Sequence, residues 1–462
     1  MFSFASLQTA FPRWRRLSGS GRQFGWLLAS AMSLAASTAQ AAIPIEHWTH
    51  GSGAKVYFVN SPTIPMLDVQ VDFDGGTRRD PADKAGLADV TAGMLSSGVK
   101  AWKGRAALDE NGLSEAWVDL GAQFEASASV ERFTFSLRTL TDPDLLSRSV
   151  SLAAHEMAAP SFDARIWARD RDRMRASLRE AETQPGTHAQ RAFFSIVYRD
   201  HPYSRYATEA SLDAITPADM EGFYARHVVP CRAKVTLVGA IDRAKADTIV
   251  GELMGAIGGQ ACAPLSAVAE VQALEKAEAV RMPFQAAQAQ IFVGQPGIKR
   301  DDPDFLPLYV GNYILGGGGF VSRLMKAVRE ERGLSYSVYS YFPAGLHAGA
   351  FRVGLTTRPD QAKEALKVSQ DVVAEFVDKG PTAQELEAAK SFLVNGFALR
   401  IDSNRKLLGN VANIAWYDLP LNHLDTWVES IQAVSLQQIH DAFQRKLQPG
   451  KMATVVVGGV AD

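Results

Sequence analysis

The sequence predicts an α+β protein that contains two copies of one domain, each a mainly antiparallel sheet with packed helices. Two observations support this prediction. Short segments with alternating apolar residues, typical of strands, precede long amphipathic segments, typical of helices, and this order occurs twice along the 462 residues. The end of the first half is also repeated at the end of the chain. About 420 residues remain after an N-terminal leader, which suits two domains of roughly 200 residues.

The repeat links residues 214–239 to residues 433–458 with a constant offset of 219 positions. Each copy consists of a capped helix, a loop marked by proline and an apolar strand that ends in glycine. The starts of the halves are also similar, because Arg78-Arg79-Asp80-Pro81 follows a strand in one and Arg300-Asp301-Asp302-Pro303 follows a strand in the other. We therefore expect domains at 43–242 and 281–462, with the linker in 243–280.

The first 41 residues have the pattern of a secretory signal peptide. Basic residues precede an apolar segment from Phe24 to Ala36, and Ala39-Gln40-Ala41 fits the small-x-small rule for cleavage. The apolar segment is too short for a typical membrane span, although an uncleaved anchor is the alternative. The mature chain is therefore expected to be a soluble periplasmic protein without stable membrane insertion.

Composition excludes some partners. The formal net charge is −2, so no overall positive field attracts nucleic acid.

Cys231 and Cys262 are the only cysteines. They can form a disulfide in an oxidising compartment, or remain two separate buried thiols.

Periodicity places the main elements. Strands are expected at 54–60, 67–74, 123–129, 132–138 and 233–238, and near 290–294 and 348–355. Helices are expected at 82–95, at the start of 108–139, and at 143–158, 163–182, 217–227, 359–376, 383–401, 403–416 and 422–432.

The segment Leu315–Tyr341 is the most informative part of the chain. Four glycines, at 316–319, are expected to break the preceding element, and Ser322 to cap a short helix with an apolar stripe of Val321, Leu324, Met325 and Val328. Gly333 can end that helix in the left-handed conformation. The period then changes to two, which predicts a strand with Leu334, Tyr336 and Val338 on one face. A helix, a turn and a returning strand can bring Arg329 and Tyr336 together.

The stretch GGGGFVSRLMKAVREERGLSYSVYS resembles the C-terminal domain of the pitrilysin/insulinase family of zinc peptidases, the inverzincins. The resemblance implies a duplicated LuxS-like metallopeptidase fold over the whole mature chain. It also implies that Arg329 and Tyr336 bind the peptide opposite a metal site. Tyr339 and Tyr341 are expected to shape the strand surface. Without the resemblance, Arg329 would be a residue that favours the helix dipole and Tyr336 a packing residue.

The zinc motif of this family, His-x-x-Glu-His on a helix, is degenerate here. Two histidines at i and i+4 share one helix face and bind zinc, and the Glu accepts a proton from zinc-bound water. In the matching frame 86–95, Asp89 and Gly93 occupy the histidine positions and Ala92 occupies the general-base position. Asp170 lies where a third ligand is expected. One or two carboxylates do not make a zinc site.

Other features have ordinary explanations. None of the nine histidines belongs to a zinc motif, and each is expected to be a surface or loop residue. The glycine run lacks the Lys-Ser/Thr of a phosphate-binding loop, so close backbone packing or an extended substrate explains it better.

The residues and the resemblance together predict a non-catalytic, substrate-binding subunit of a heteromeric periplasmic zinc peptidase, inactive alone and without a metal of its own. Its partner would be a homologous subunit that carries zinc, and its substrate a peptide. One alternative is a peptide-binding or assembly protein without a catalytic partner. The other is a self-sufficient metallopeptidase with a relocated metal site, for which no substitute ligand cluster is visible.

Overall fold

The computed structural model describes residues 43–258 and 262–459. In the first half the strands are β1 (Glu46–Thr49), β2 (Lys55–Asn60), β3 (Met66–Phe73), β4 (Gly98–Val99), β5 (Leu108–Asp109), β6 (Gln123–Ala128), β7 (Phe133–Leu140) and β8 (Lys234–Gly239). The helices are α1 (Leu87–Gly93), α2 (Glu110–Asp119), α3 (Pro143–Ala158), α4 (Ala164–Ala181), α5 (Pro185–Tyr198), α6 (Glu209–Ala214), α7 (Pro217–His227) and α8 (Arg243–Ala256).

In the second half the strands are β9 (Glu278–Met282), β10 (Ala289–Pro296), β11 (Ile298–Lys299), β12 (Ser335–Tyr341), β13 (Ala344–Gly345), β14 (Ala350–Thr357) and β15 (Ala453–Val457). The helices are α9 (Phe305–Asn312), α10 (Ala362–Lys379), α11 (Ala383–Asn395), α12 (Asn404–Trp416), α13 (His423–Ala433) and α14 (Leu436–Lys446). Two segments are π-helical, Tyr313–Gly317 and Met325–Glu330.

The two main sheets share a strand order over five strands, and the first sheet has β1 as an additional edge strand. The first is β1-β2-β8-β3-β7-β6 and the second is β9-β15-β10-β14-β12, read in the same direction. In each sheet one pair is parallel, β2 with β8 and β9 with β15, and the other neighbours are antiparallel. The mainly antiparallel α+β fold and its duplication, predicted from the sequence, are confirmed.

The helices extend the repeat beyond the 26 positions visible in the sequence. The helices α3, α4, α5 and α7 begin at Pro143, Ala164, Pro185 and Pro217, and α10, α11, α12 and α14 begin 219 residues later, at Ala362, Ala383, Asn404 and Leu436. Capping boxes at Thr216 and Ser435 start α7 and α14 alike.

Each half also covers the sheet of the other half with one helix. Helix α5 packs on β10 and β15, where Phe193 and Val197 join a core with Phe292 and Val455. Helix α12 packs on β8 and β3, where Leu408 and other apolar residues join a core with residues of the first sheet. The described part of the chain from Ile43 onward is accordingly one compact unit. The domain boundaries at 243–280 stay a prediction.

Several local expectations need correction. The helix expected at 82–95 is interrupted, because Gly86 adopts φ 99° and α1 begins only at Leu87. The helix expected at 383–401 ends at Asn395 and is followed by a 3₁₀ turn, Ala398–Arg400.

The sequence left open whether the two cysteines pair. In the structure, Cys231 and Cys262 form a disulfide. The signal peptide lies outside the described residues, and among those residues no helix is long and apolar enough to cross a membrane.

Candidate functional site

Arg329 and Tyr336 lie side by side. The guanidinium carbon of Arg329 is 4.5 Å from the centre of the Tyr336 ring and 4.7 Å from the centre of the Phe320 ring. Arg329 comes from the π-helical segment, Tyr336 from β12 and Phe320 from the glycine-rich segment. Three stretches of the chain therefore meet around one cation, a contact that contributes about 0.5–1 kcal/mol at an exposed site. Sequence reasoning missed Phe320, although a large apolar residue directly after four glycines was a usable signal.

A β-bulge turns Tyr336 outward. Ser335 pairs with Thr357 and Val338 with Leu355, so β12 has one more residue than β14 between these pairs. The Ser335 hydroxyl fills the irregularity, 2.8 Å from Ser337 O and 2.7 Å from Thr356 O. Tyr336 is consequently 80% exposed, whereas Val338 is 2% exposed. The prediction that Tyr336 shares a face with Leu334 and Val338 is wrong, because a strict period of two holds only for a regular strand.

The glycine segment shows why small residues are needed here. A Cβ on Gly316 would lie 2.6 Å from the backbone nitrogen of Ser340, so only glycine allows the helix to pack this closely on β12. The sequence predicted that the glycines break the preceding helix at Gly316. The helix instead continues as a π-helical turn to Gly317. Val321 is 75% exposed and does not belong to the buried stripe of Leu324, Met325 and Val328. Gly333 ends the next helix with φ 62°, as predicted.

The guanidinium group of Arg329 has unused hydrogen-bond donors. Within the described part of the chain, it makes no hydrogen bond or ion pair, and its Nη1 atom is buried without an acceptor. The Tyr336 hydroxyl, on a side chain that points to solvent, makes no hydrogen bond to the described residues either. Both groups donate hydrogen bonds, so the pair is suited to a carbonyl oxygen or an oxyanion.

Strand β12 is the edge of its sheet. Its one neighbour in the described sheet is β14, so its other edge offers backbone groups to an added strand. Beyond Tyr336, the rings of Tyr339 and Tyr341 lie 4.8 Å apart on this strand, and Tyr341 is exposed. The candidate site therefore combines two side-chain donors with an open strand edge.

A buried carboxylate anchors the start of α1, the helix in the position of the zinc motif. The buried Asp80 carboxylate accepts hydrogen bonds from Gly86 N at 2.8 Å and Ala88 N at 2.9 Å, which anchors the start of α1. Burial raises the pKa of Asp80 to about 7. Sequence reasoning missed this role and used Asp80 only as part of the Arg-Arg-Asp-Pro segment that follows a strand.

The face of α1 that would bind metal carries one carboxylate. Asp89 and Gly93 are exposed on the same face, whereas Ala92 is buried. The surrounding protein limits the hydration of Asp89 and raises its pKa to about 6. Asp170, the expected third position, is paired with Arg169 and Arg173. No group of three potential metal ligands comes together anywhere in 43–258 or 262–459.

The expectation that every histidine lies on the surface or in a loop is wrong for two buried helical residues. His155 is 2% exposed, and its Nε2 lies 2.8 Å from Lys100 O. His227 is 5% exposed, and its Nδ1 lies 3.0 Å from Asp74 O. Backbone carbonyls thus satisfy both rings, and burial lowers the pKa of His227 to about 4.

A buried carboxylate joins the two halves. Glu131 accepts hydrogen bonds from Leu346 N at 2.6 Å, from Trp416 Nε1 at 3.1 Å and from Tyr417 Oη at 3.4 Å, all in the second half, and from the hydroxyl of Tyr203. The burial of Tyr417, together with Glu131, raises the pKa of that phenol. A lone glutamate beside a strand carries no sequence signal for such a role, because all its partners are distant in sequence.

Comparisons with known proteins agree with this architecture. The profile of the family described as Insulinase (Peptidase family M16) matches residues 55–210, and the profile described as Peptidase M16 inactive domain matches residues 214–393. A crystal structure of a peptidase M16 inactive domain from Pseudomonas fluorescens superposes with a TM-score of 0.84 at 32% identity, over 90% of this chain and 98% of that one.

Curated relatives carry two kinds of description. The non-peptidase homolog YmxG of Helicobacter pylori is 25% identical over 87% of this chain and 91% of its own length. An uncharacterized zinc protease, SCO5738 of Streptomyces coelicolor, is 29% identical over 80% of this chain and 81% of its own length. Both similarities span the two halves. The chain therefore belongs to the insulinase family, peptidase family M16, as a homologue of the inactive type with a degenerate zinc motif.

Proposed function

We propose that this chain is the non-catalytic, substrate-binding subunit of a heteromeric periplasmic zinc peptidase that acts on peptides. One contrast carries the proposal. The metal-binding face of α1 has lost its ligands at Asp89 and Gly93, whereas the Arg329–Tyr336 pair is intact. Tyr336 is exposed and Arg329 is half-buried, and neither side chain makes a hydrogen bond or ion pair within the described chain. A protein that kept only half of a composite site needs a partner with the other half.

The two retained side chains have a defined task. Arg329 and Tyr336 hold the carbonyl oxygen of the peptide bond that is cut and stabilise the negative charge that develops on it. The stacking of the guanidinium between Phe320 and Tyr336 fixes its direction before substrate arrives, which lowers the cost of ordering it. Zinc in the partner subunit, bound by His-x-x-Glu-His, supplies the activated water.

The edge of β12 supports a peptide rather than a small molecule as the substrate. An extended peptide can pair with the free edge of this strand through its backbone and reach the Arg329–Tyr336 pair with one of its carbonyl groups. Backbone pairing reads little of the side-chain sequence, so we expect broad selectivity for unfolded peptides.

Reconstitution with a homologous subunit that retains His-x-x-Glu-His tests the proposal. Cleavage of a fluorogenic peptide is measured for each subunit alone and for the mixture. We expect activity in the mixture alone, and a loss of roughly 100-fold in kcat with Tyr336→Phe, since one oxyanion donor typically contributes this much. Arg329→Ala is expected to lower kcat and raise KM together.

Matched control variants distinguish an effect of the Arg329–Tyr336 site from an effect of removing any exposed arginine or tyrosine. Arg332→Ala removes an exposed arginine three residues away, and Tyr206→Phe removes the hydroxyl of another exposed tyrosine. Both variants should keep full activity. A mixture no more active than the zinc subunit alone contradicts the composite site. Peptide binding without any gain in cleavage would instead indicate a peptide-binding or assembly protein, and stoichiometric zinc with activity in this chain alone would indicate a self-sufficient peptidase.

The periplasmic location is part of the proposal. The pattern of residues 1–41 supports export, and the Cys231–Cys262 disulfide suits an oxidising compartment. Cell fractionation with N-terminal sequencing of the purified protein tests it. Export predicts a mature N-terminus after Ala41, and a cytoplasmic protein that starts at Met1 would contradict it.

A further inference from the structure

A second concave site is lined in part by Phe342, Pro343 and Ala344, the residues that follow Tyr341 at the end of β12. It is a cavity of about 390 Å³, within the size range of small-ligand sites. Its walls are largely aromatic and aliphatic, with Phe305, Phe342, Phe397, Ile414, Leu424 and Trp427 among them. Helices α9, α12 and α13 supply half of the lining residues, and the segments after β11 and β12 supply Arg300, Phe342, Pro343 and Ala344.

Basic and neutral polar side chains line this cavity. Arg300, Arg400 and His423 are among them, and none of the described lining residues is Asp or Glu. Arg400 Nη1 donates to the Tyr309 hydroxyl at 2.8 Å, which leaves the hydroxyl hydrogen of Tyr309 available for a ligand. Asn413 uses its Oδ1 atom to accept from Arg132 at 2.7 Å, so its amide hydrogens remain available as well.

Arg300 is the central group. Its guanidinium carbon lies 3.8 Å from the centre of the Phe305 ring, and its Nη2 atom lies 3.4 Å from His423 Nε2. Burial, and secondarily the charge of Arg300, lower the pKa of His423, which favours the neutral imidazole that accepts from the guanidinium. Burial also lowers the pKa of Arg300, and no carboxylate lies within 4.0 Å of it in the described ranges. A half-buried cation without a counter-ion is unfavourable unless an anion compensates it.

A neighbouring cavity connects this site to the substrate strand. This neighbouring cavity, of about 400 Å³, shares Tyr309, Phe342 and Pro343 with the Arg300 cavity and reaches Tyr341 at the end of β12. An extended chain that pairs with the edge of β12 would therefore pass from Tyr336 to Tyr341 and enter the cavity beyond it.

We propose that this cavity binds a carboxylate attached to an apolar or aromatic group, through Arg300 with Tyr309 and Asn413, and that the physiological source is the C-terminal residue of a bound peptide. The carboxylate pairs with the Arg300 guanidinium, and the side chain of the last residue packs on Phe305, Phe342 and Trp427. The peptide source rests on the proposed function, whereas carboxylate binding does not.

Binding to the purified mature chain, without any zinc subunit, tests this proposal independently of peptidase activity. The probes are an octapeptide that ends in Phe with a free carboxylate, the same peptide with a C-terminal amide, and 3-phenylpropionate, each followed by calorimetry. We expect the peptide acid to bind roughly 10- to 100-fold more tightly than the amide, as the loss of a charge-assisted hydrogen bond predicts. Arg300→Gln should reduce the affinity for the acid to that for the amide and leave the amide unchanged.

Lys299→Gln, which removes an adjacent exposed cation, is the matched control and should change neither affinity. Because Arg300 lacks a counter-ion, Arg300→Gln should not lower the thermal midpoint of the free protein, and Tyr309→Phe provides a second variant with a smaller loss. Binding of 3-phenylpropionate but of neither peptide would retain the carboxylate site and assign it to a small molecule. Equal affinities for acid and amide, or a preference that survives Arg300→Gln, would overturn the proposal.

Discussion

Glu156 provides the sharpest quantitative test of the structure. Its side chain is 3% exposed, within the core of the first half, and its carboxylate accepts a hydrogen bond from Trp117 Nε1 at 2.9 Å. Burial raises the pKa of Glu156 to about 8. At neutral pH the folded protein therefore carries a neutral carboxylic acid at this position, whereas the unfolded chain carries a carboxylate.

The sign of the pH dependence follows from proton binding. Between an unfolded pKa of about 4.5 and a folded pKa of about 8, the folded state binds more protons than the unfolded state, so stability falls as pH rises. The contribution is fully present below pH 4.5 and is lost above pH 8. Relative to its value below pH 4.5, the free energy of unfolding is therefore lower by about 2 kcal/mol at pH 6 and by about 5 kcal/mol at pH 9.

Glu156→Gln removes the titration and retains an acceptor for Trp117. We expect the variant to be about as stable as the natural sequence at pH 4.5 and progressively more stable than it as pH rises. Urea unfolding at pH 4.5, 6, 7.5 and 9, followed by far-ultraviolet circular dichroism, gives the free energy of unfolding at each pH. Glu115→Gln, an exposed change on α2, is the control and should show no such trend.

A difference between Glu156→Gln and the natural sequence that does not vary with pH would refute the reasoning. It would mean that the carboxyl group titrates normally and that water or a cation reaches it in the folded protein.

Three further predictions concern the framework. Glu131→Ala, which leaves four donors of the interface between the halves without their acceptor, should lower the free energy of unfolding by about 3–5 kcal/mol, whereas Glu125→Ala on exposed β6 should change it by less than about 0.5 kcal/mol in urea unfolding. Replacing Cys231 and Cys262 by serine should cost about 3–4 kcal/mol, since the disulfide closes a loop with a sequence separation of 31; dithiothreitol should reproduce the loss in the natural protein and leave the double variant unchanged. Asp80→Ala, which leaves two buried amide groups at the start of α1 without an acceptor, should lower stability by about 2–4 kcal/mol, and hydrogen exchange should show faster exchange at Ala88 while β12 is unaffected.

The sequence was informative where the physics is local. Amphipathic period, capping residues and glycine at a helix end depend on neighbours within one turn, so α3, α4, α7, α14 and the αL turn at Gly333 could be predicted. The proximity of Arg329 and Tyr336 was accessible for the same reason, because the elements that carry them are consecutive.

The remaining features depend on contacts between distant segments. Tyr336 points outward because Ser335 bonds to a carbonyl group on β14, and no alternation of residues in β12 reveals that bulge. Helix α5 was not among the predicted helices, and its position on a sheet of the other half could not be predicted, since its partner strand β15 lies more than 250 positions away. The roles of Asp80 and Glu131 likewise arise from backbone groups and rings that folding brings to them.

Helix α12 of the second half covers the first sheet, and helix α5 of the first half covers the second sheet. This arrangement has a consequence for folding during translation. The first sheet is complete once β8 leaves the ribosome, yet one of its faces stays without cover until Asn404–Trp416 have been made. During that interval, apolar residues of the first sheet are open to aggregation or to a chaperone. For the same reason, a fragment cut in the linker would expose one sheet face and carry one helix without a place to dock. Production of either half alone should therefore yield insoluble material, and co-production of both halves should restore a soluble complex.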